Sequence, residues 1–88
     1  MTTRCKFYCV SVTEQVGSKL NHETKKYEPA LQKSIKLAAV YGNGDPNHEN
    51  SKFWDASPAG IFELSVINLA AAAMFVPGKE YYIDITPA

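Results

Sequence analysis

The feature that most constrains this chain is a two-residue alternation of apolar and polar side chains in short segments spread along its length. In "RCKFYCVSVT", residues 4–13, Cys5, Phe7 and Cys9 point one way while Lys6 and Tyr8 point the other. In "IFELSVI", residues 61–67, Phe62, Leu64 and Val66 form one face and Glu63 and Ser65 the other. "VPGKEYYIDITPA", residues 76–88, reads as a Pro-Gly turn feeding a final strand. There Tyr81 aligns with Ile83 and Ile85, and Tyr82 with Asp84 and Thr86, so large side chains face both ways. Period two in segments of this length predicts strands, each with at least one face to bury.

After Cys9 the apolar phase slips to Val10 and Val12, which predicts a bulge or a strand end buried on both faces. Residues 14–28, "EQVGSKLNHETKKYE", are polar and rich in turn formers, and read as a long connection with a flexible tip around Gly17 to Asn21. "ALQKSIKLAAVY", residues 30–41, fits two patterns. Leu31, Ile35 and Ala38 suit a helical stripe, whereas Leu31, Ile35, Leu37, Ala39 and Tyr41 suit a strand broken only at Lys33. The strand is preferred. "GNGDPNHEN" is turn chemistry, and Asp45 followed by Pro46 would start a short helix reaching about Asp55 and carrying Phe53 and Trp54. "SPAG" would end it. Asn68 can cap one helical segment, "LAAAAMF", because alanine is the strongest helix former.

The 88 residues allow one domain, 1–88, with a thin core. The expected fold is mainly β (β-rich α+β): a small antiparallel barrel-like or curved sheet of four to five strands with one or two short helices. A sheet this thin must close on itself, cover a face with its helices, or borrow a partner.

Charge and chemistry narrow the function. Nine basic and nine acidic residues cancel, which removes the general field that draws in phosphate backbones and argues against nucleic acid. Lys19, Lys25, Lys26, Lys33 and Lys36 are interleaved with Glu14, Glu23 and Glu28, the pattern of a solvated mixed-charge surface. The opening "MTTRCKFYCV" lacks an apolar stretch of signal-peptide length, and no run approaches the ~20 residues that span a bilayer, so a soluble protein made in a cytoplasm is expected. Cys5 and Cys9, four apart in a strand, stand about 13 Å from each other and are expected as reduced, buried thiols.

Titratable groups suited to catalysis are few. His22 and His48 lie in polar loops with no nucleophile motif nearby. Cys-x3-Cys within a strand is not a zinc knuckle. "GNGDPNHEN" fails the spacing of an EF-hand loop and lacks the Gly-Lys-Ser/Thr of a phosphate loop. No enzyme activity, metal or cofactor is expected. The aromatics say more, because Phe7, Tyr8, Tyr27, Tyr41, Phe53, Trp54, Phe62, Phe75, Tyr81 and Tyr82 exceed what a thin core can enclose. Tyr8, Trp54, Tyr81 and Tyr82 are therefore the interface candidates. A second class, a small-molecule or nucleotide-binding protein that blunts a host defence signal, would need convergent polar groups such as Arg4, Lys6 or Lys79. A third is single-stranded nucleic-acid binding on a sheet of aromatics, which lacks its positive groove here.

The "RCK" opening strand, the "A-V-Y" strand, "P-x-x-E-N-x-x-F-W", "P-x-G-x-x-E-L" and the terminal "PGKEYY-x-D-x-T-P-A" resemble a family of short, largely uncharacterised proteins of tailed bacteriophages. The likeness covers most of the chain except 14–28. Its motifs consist of turn residues and core aromatics, and they bring no active site with them. The resemblance implies a host-cytoplasm or virion setting and supports the strand reading of 30–41. The expectation is a non-enzymatic accessory protein acting through protein–protein association, with itself or with phage structural proteins as partners.

Overall fold

In the computed structural model, which describes all residues except 43, 44, 46, 56 and 57, backbone pairing joins four strands into one curved, unclosed antiparallel sheet of order β3-β2-β1-β4. β1 is Thr3–Asn21, β2 Lys26–Ala39, β3 Ile61–Val66 and β4 Glu80–Ile85. Two short helices, α1 (Glu49–Trp54) and α2 (Leu69–Ala72), lie on the connections flanking β3. The fold is thus the curved-sheet form of the expectation, with four strands and no barrel closure.

Residues 30–41 fall largely within β2, so the strand reading holds through Ala39. Lys33, which interrupts the apolar alternation, stands opposite Glu14 across the β1–β2 ladder and is ion-paired with it. The phase slip after Cys9 is a register shift: Cys9 pairs with Leu37 but Ser11 with Lys36, leaving Val10 as the extra residue. The same bulge receives the turn into β4, where Gly78 N–H donates to Cys9 O (2.8 Å) and Cys9 N–H to Lys79 O (2.9 Å). That turn closes through Lys79 N–H to Val76 O (3.0 Å), and Gly78 at φ 87° fills the left-handed position that a type II turn requires.

The core lies on one face of the sheet. Cys5, Phe7, Cys9, Ile35, Leu37 and Ala72 are its buried members. Ala72 comes from the crossover that carries the chain from β3, at one edge, to β4, at the other. Asn68 caps α2 as expected, accepting from Ala71 N–H (3.2 Å). Both cysteines are free and buried, and burial pushes the Cys5 thiol above its ordinary pKa, which keeps it protonated and inert.

Two expectations are corrected. Residues 14–28 are not a long polar connection. Most of them form the far ends of β1 and β2, and the turn occupies only 22–25. Polarity on one face and turn formers hide the strand pattern, but Val16 and Leu20 alternate with Gln15, Gly17 and Lys19. Asn21 anchors the turn, its side-chain oxygen accepting from Glu23 N–H (2.9 Å) and Thr24 N–H (3.3 Å). Nor does α1 start at Asp45. His48 is its N-cap, with Nδ1 accepting from Asn50 N–H (3.1 Å), while Asp45 binds Asn47 N–H (2.9 Å) in the preceding turn. Pro46 lies outside the described residues. The helix ends at Asp55, which takes the left-handed conformation (φ 52°).

Candidate functional site

The strand register divides the molecule into a body and an arm. Among the described residues, β4 pairs only with Thr3 to Tyr8 of β1, and β3 only with Lys33 to Ala38 of β2. Beyond these limits, from Gln15↔Gln32 to Asn21↔Lys26, the two long strands pair only with each other. They make a two-stranded ribbon that runs out from the sheet. The molecule measures 53 × 29 × 18 Å, and its radius of gyration is 16.4 Å. A compact chain of this length would have about 12 Å. Its accessible surface of 6296 Å² exceeds the roughly 5,100 Å² of a globular monomer of the same mass.

The arm is amphipathic, which follows from cross-strand partners sharing a face. Val16 stands opposite Leu31, Ser18 opposite Pro29, and Leu20 opposite Tyr27. This face continues the core face, because Val12 opposite Ile35 and Glu14 opposite Lys33 precede it in the same alternation. The reverse face carries Thr13, Ser34, Gln15, Gln32, Lys19, Glu28, Asn21 and Lys26. Among the described residues, no second layer covers the apolar side. Val16 is 77% exposed, Tyr27 73% and Leu31 43%.

Where the same face reaches the body, it opens into an apolar groove of about 240 Å³ lined by Leu37, Phe62, Leu64, Met74, Phe75 and Tyr81, among others. Small-molecule sites commonly occupy ~300–1,000 Å³. This groove is the size of one or two side chains.

The four interface candidates do not form one surface. Tyr81 belongs to the core face, half-buried, and its hydroxyl is held inside the chain, donating to Met74 O (2.6 Å) and accepting from Val76 N–H (2.8 Å). It fixes the crossover and helps shape the groove. Trp54 is also half-buried. It leans on Phe7 (centroids 6.1 Å), meets Phe53 in a T-shaped contact (4.9 Å, 88°), and donates its indole N–H to Ala59 O (2.9 Å). Tyr8 and Tyr82 lie on the opposite, outward face of the sheet and are exposed.

Arg4 and Lys6 flank Tyr82, their cationic groups 4.9 and 5.2 Å from its ring centroid. Each already has an acidic partner. Arg4 makes a bidentate pair with Asp84 (2.7 and 3.0 Å), which raises the Arg4 pKa and lowers that of Asp84. Lys6 lies 3.5 Å from Glu49. Burial lowers the Lys6 pKa, but attraction to Tyr82, Glu49 and Glu80 outweighs it and the net shift is upward. Glu49 is lowered, first by its own backbone N–H at the helix start. Lys79 sits in the turn at the other end of β4. The three candidate ligand cations are therefore not convergent. Among the described residues, no three His, Cys, Asp or Glu side chains gather as metal ligands. No helix of the described residues is long and apolar enough to cross a membrane.

The most consequential polar residue has no distinctive sequence signature of its own. Asn50 is fully buried and closes the sheet where β2 ends. Its Oδ1 accepts from Lys6 N–H (2.6 Å), and its Nδ2 donates to Lys6 O (2.7 Å) and Val40 O (2.8 Å). The carboxamide thus stands in for a strand residue. The "E-N-x-x-F-W" spacing held the signal: Asn50 and Trp54, four apart, share a helix face. One binds β1 by hydrogen bonds and the other by ring packing.

No family model, curated protein or solved structure matches this chain.

Proposed function

We propose that this protein is a non-enzymatic accessory protein acting by protein–protein association, and that its contact surface is the apolar side of the β1–β2 arm. The observation that carries this reading is the arm face, with Val16, Leu31 and Tyr27 exposed and Leu20 half-buried on one side of a ribbon that no other element covers among the described residues. Two-stranded ribbons are marginal in water on their own, and an apolar side makes one more useful against a partner than in solvent. Together with the phage resemblance of "E-N-x-x-F-W" and "PGKEYY-x-D-x-T-P-A", the arm supports a role in the host cytoplasm or on the virion. The nucleotide-binding alternative draws less support, because Arg4 and Lys6 are engaged by Asp84 and Glu49 and Lys79 is remote. Single-strand binding is weakened in the same way, since the exposed Tyr82 is flanked by cations already neutralised.

The test is incorporation into particles. The chain is supplied in trans, tagged, during infection by a tailed phage whose genome encodes it, and gradient-purified virions are quantified by mass spectrometry. Wild type is expected at a fixed copy number per particle. A variant carrying Val16→Thr, Tyr27→Thr and Leu31→Thr is expected to be at least tenfold depleted. Equal incorporation of both would remove the arm from the contact. Absence of wild type, with no association of the protein with itself, would overturn the reading.

A further inference from the structure

We infer that the occupant of the arm's apolar face is a second copy of this chain, packed face to face and antiparallel so that each arm lies across its partner's groove. This rests on the proposal that the arm face acts by association, and it names the partner.

Three observations lead there. First, arm and groove lie on the same face of one sheet but at opposite ends of β1 and β2, with Ile35 and Lys33 between Leu37 of the groove and Leu31 of the arm. A two-fold axis across the strands near Glu14 and Lys33 exchanges these ends, bringing arm onto groove twice. Such an isologous contact closes after two copies. Second, an arm cannot serve its own groove. β1 and β2 are hydrogen-bonded from Phe7↔Ala39 to Asn21↔Lys26 with a single one-residue shift, and folding back would break that ladder. Third, the areas agree. An arm of seven cross-strand pairs is about 23 Å long and 10 Å wide. Two arms on two grooves remove on the order of 1,000 Å² from water, about the minimum for a specific interface. The surface in excess of a globular monomer is of the same order.

The residues also match in kind. The groove rim offers Met74, 59% exposed, and Leu64, 38% exposed, beside Phe62 and Tyr81. The arm offers Leu31, Val16 and Tyr27, aliphatic and aromatic side chains of the size the groove admits. Near the axis, each copy presents Glu14 already paired with Lys33. Two neutral pairs can approach, or exchange partners, without burying a net charge. The right-handed twist of a two-stranded ribbon lets the arm wrap the partner's sheet.

Sedimentation equilibrium on the full chain, from about 1 μM to 1 mM, decides the stoichiometry, and site-specific photocrosslinking decides the geometry. Wild type is expected at twice 9.7 kDa, with the dimer's Kd raised at least 100-fold by Val16→Thr, Tyr27→Thr and Leu31→Thr together. Threonine keeps the strand preference, so the variant's circular dichroism is expected to be unchanged. A benzophenone residue at Tyr27, in a mixture of isotopically light and heavy protein, should crosslink between copies to the peptide spanning Phe62 to Met74. Monomer at 1 mM overturns the inference but leaves virion contact standing. A dimer unaffected by the variant, or crosslinked elsewhere, overturns the arm-on-groove geometry. If the variant unfolds, the wild-type crosslink alone decides.

Discussion

The body and the arm of this protein are built from the same two strands, yet they are stabilised by different means. In the body, each stretch of β1 and β2 gains a further strand at its side and a crossover on its face. Phe7 touches Trp54 and Phe62 there, and only 3% of its surface remains exposed. In the arm, the same strands have each other, the Asn21–Glu28 contact and a turn, with the Glu14–Lys33 pair at its base. The β1–β2 ladder runs through both regions, but in the arm each strand is paired along one side only. What separates them is the added strands and the apolar burial, so one shared ladder alone does not make a core.

The comparison is tested most severely at Phe7. Phe7→Ala removes the ring at the centre of the body and leaves a cavity between Trp54 and Phe62, at a cost of about 3–5 kcal/mol. Because β1 is continuous, denaturant melting should show body and arm lost together in one shifted transition. If the arm's hydrogen exchange were untouched by this variant, the two regions would be independent, and the arm would not borrow its order from the body.

Asn50→Ala comes next. It leaves Lys6 N–H without a partner and deprives Lys6 O and Val40 O of a donor. One orphaned buried group costs ~1–3 kcal/mol, and the loss here should reach about 3 kcal/mol, because the site is closed to water. Chemical denaturation measures it. Asn50→Asp should also destabilise, since the carboxylate cannot donate to the two carbonyls. A loss below about 1 kcal/mol would mean that Trp54 and Phe53 hold α1 without it.

These residues show what could be read in the sequence. The period-two stretches, the slip at Cys9, the Pro77-Gly78 turn and the Asn68 cap each depend on local chemistry, and local chemistry is visible in a single chain. The arm is hidden for a physical reason. Its strands are half polar, and its apolar members, Val16, Leu20, Tyr27 and Leu31, are separated by residues that also favour turns. Their meaning emerges only when Glu14 is aligned with Lys33. The place of the Tyr81 hydroxyl is hidden for another reason: whether it faces outward or binds Met74 O depends on a crossover that no pattern within β4 reveals. Asn50 is hidden within a turn-rich stretch, because buried carboxamides and loop carboxamides look alike in sequence.

The Arg4–Asp84 pair sharpens the comparison from the edge of the body. Its partners are cross-strand neighbours on the outward face, about half exposed. The hydrogen bonds from Arg4 lower the Asp84 pKa in the folded state. A lowered pKa stabilises the fold above the unfolded value of ~3.9 and is lost as pH falls through the folded value. Stability should therefore decline below about pH 4, and Asp84→Asn should flatten that limb by matching wild type in acid and falling slightly below it at neutral pH. The effect is modest, as it is for exposed pairs in general. An unchanged acid limb in the variant would assign the slope to Glu49, whose pKa is also lowered.

The smallest effect isolates the arm. Lys25 closes the turn at φ 61°, a left-handed conformation that a side chain disfavours, and its N–H donates to Asn21 O (2.8 Å). Lys25→Gly keeps that hydrogen bond and relieves the backbone, for a gain of about 0.5–1 kcal/mol. Where the gain registers depends on how the arm is held. In the dilute monomer, an arm that opens on its own should show slower amide exchange at Val16 to Leu20 and Tyr27 to Leu31, with the body's exchange unchanged. In the dimer, an arm fixed across a partner's sheet opens only after dissociation, so the same substitution should tighten association severalfold by preorganising the ribbon. Faster exchange in the body, or no concentration dependence at all, would show that the arm's order comes from neither source assigned to it.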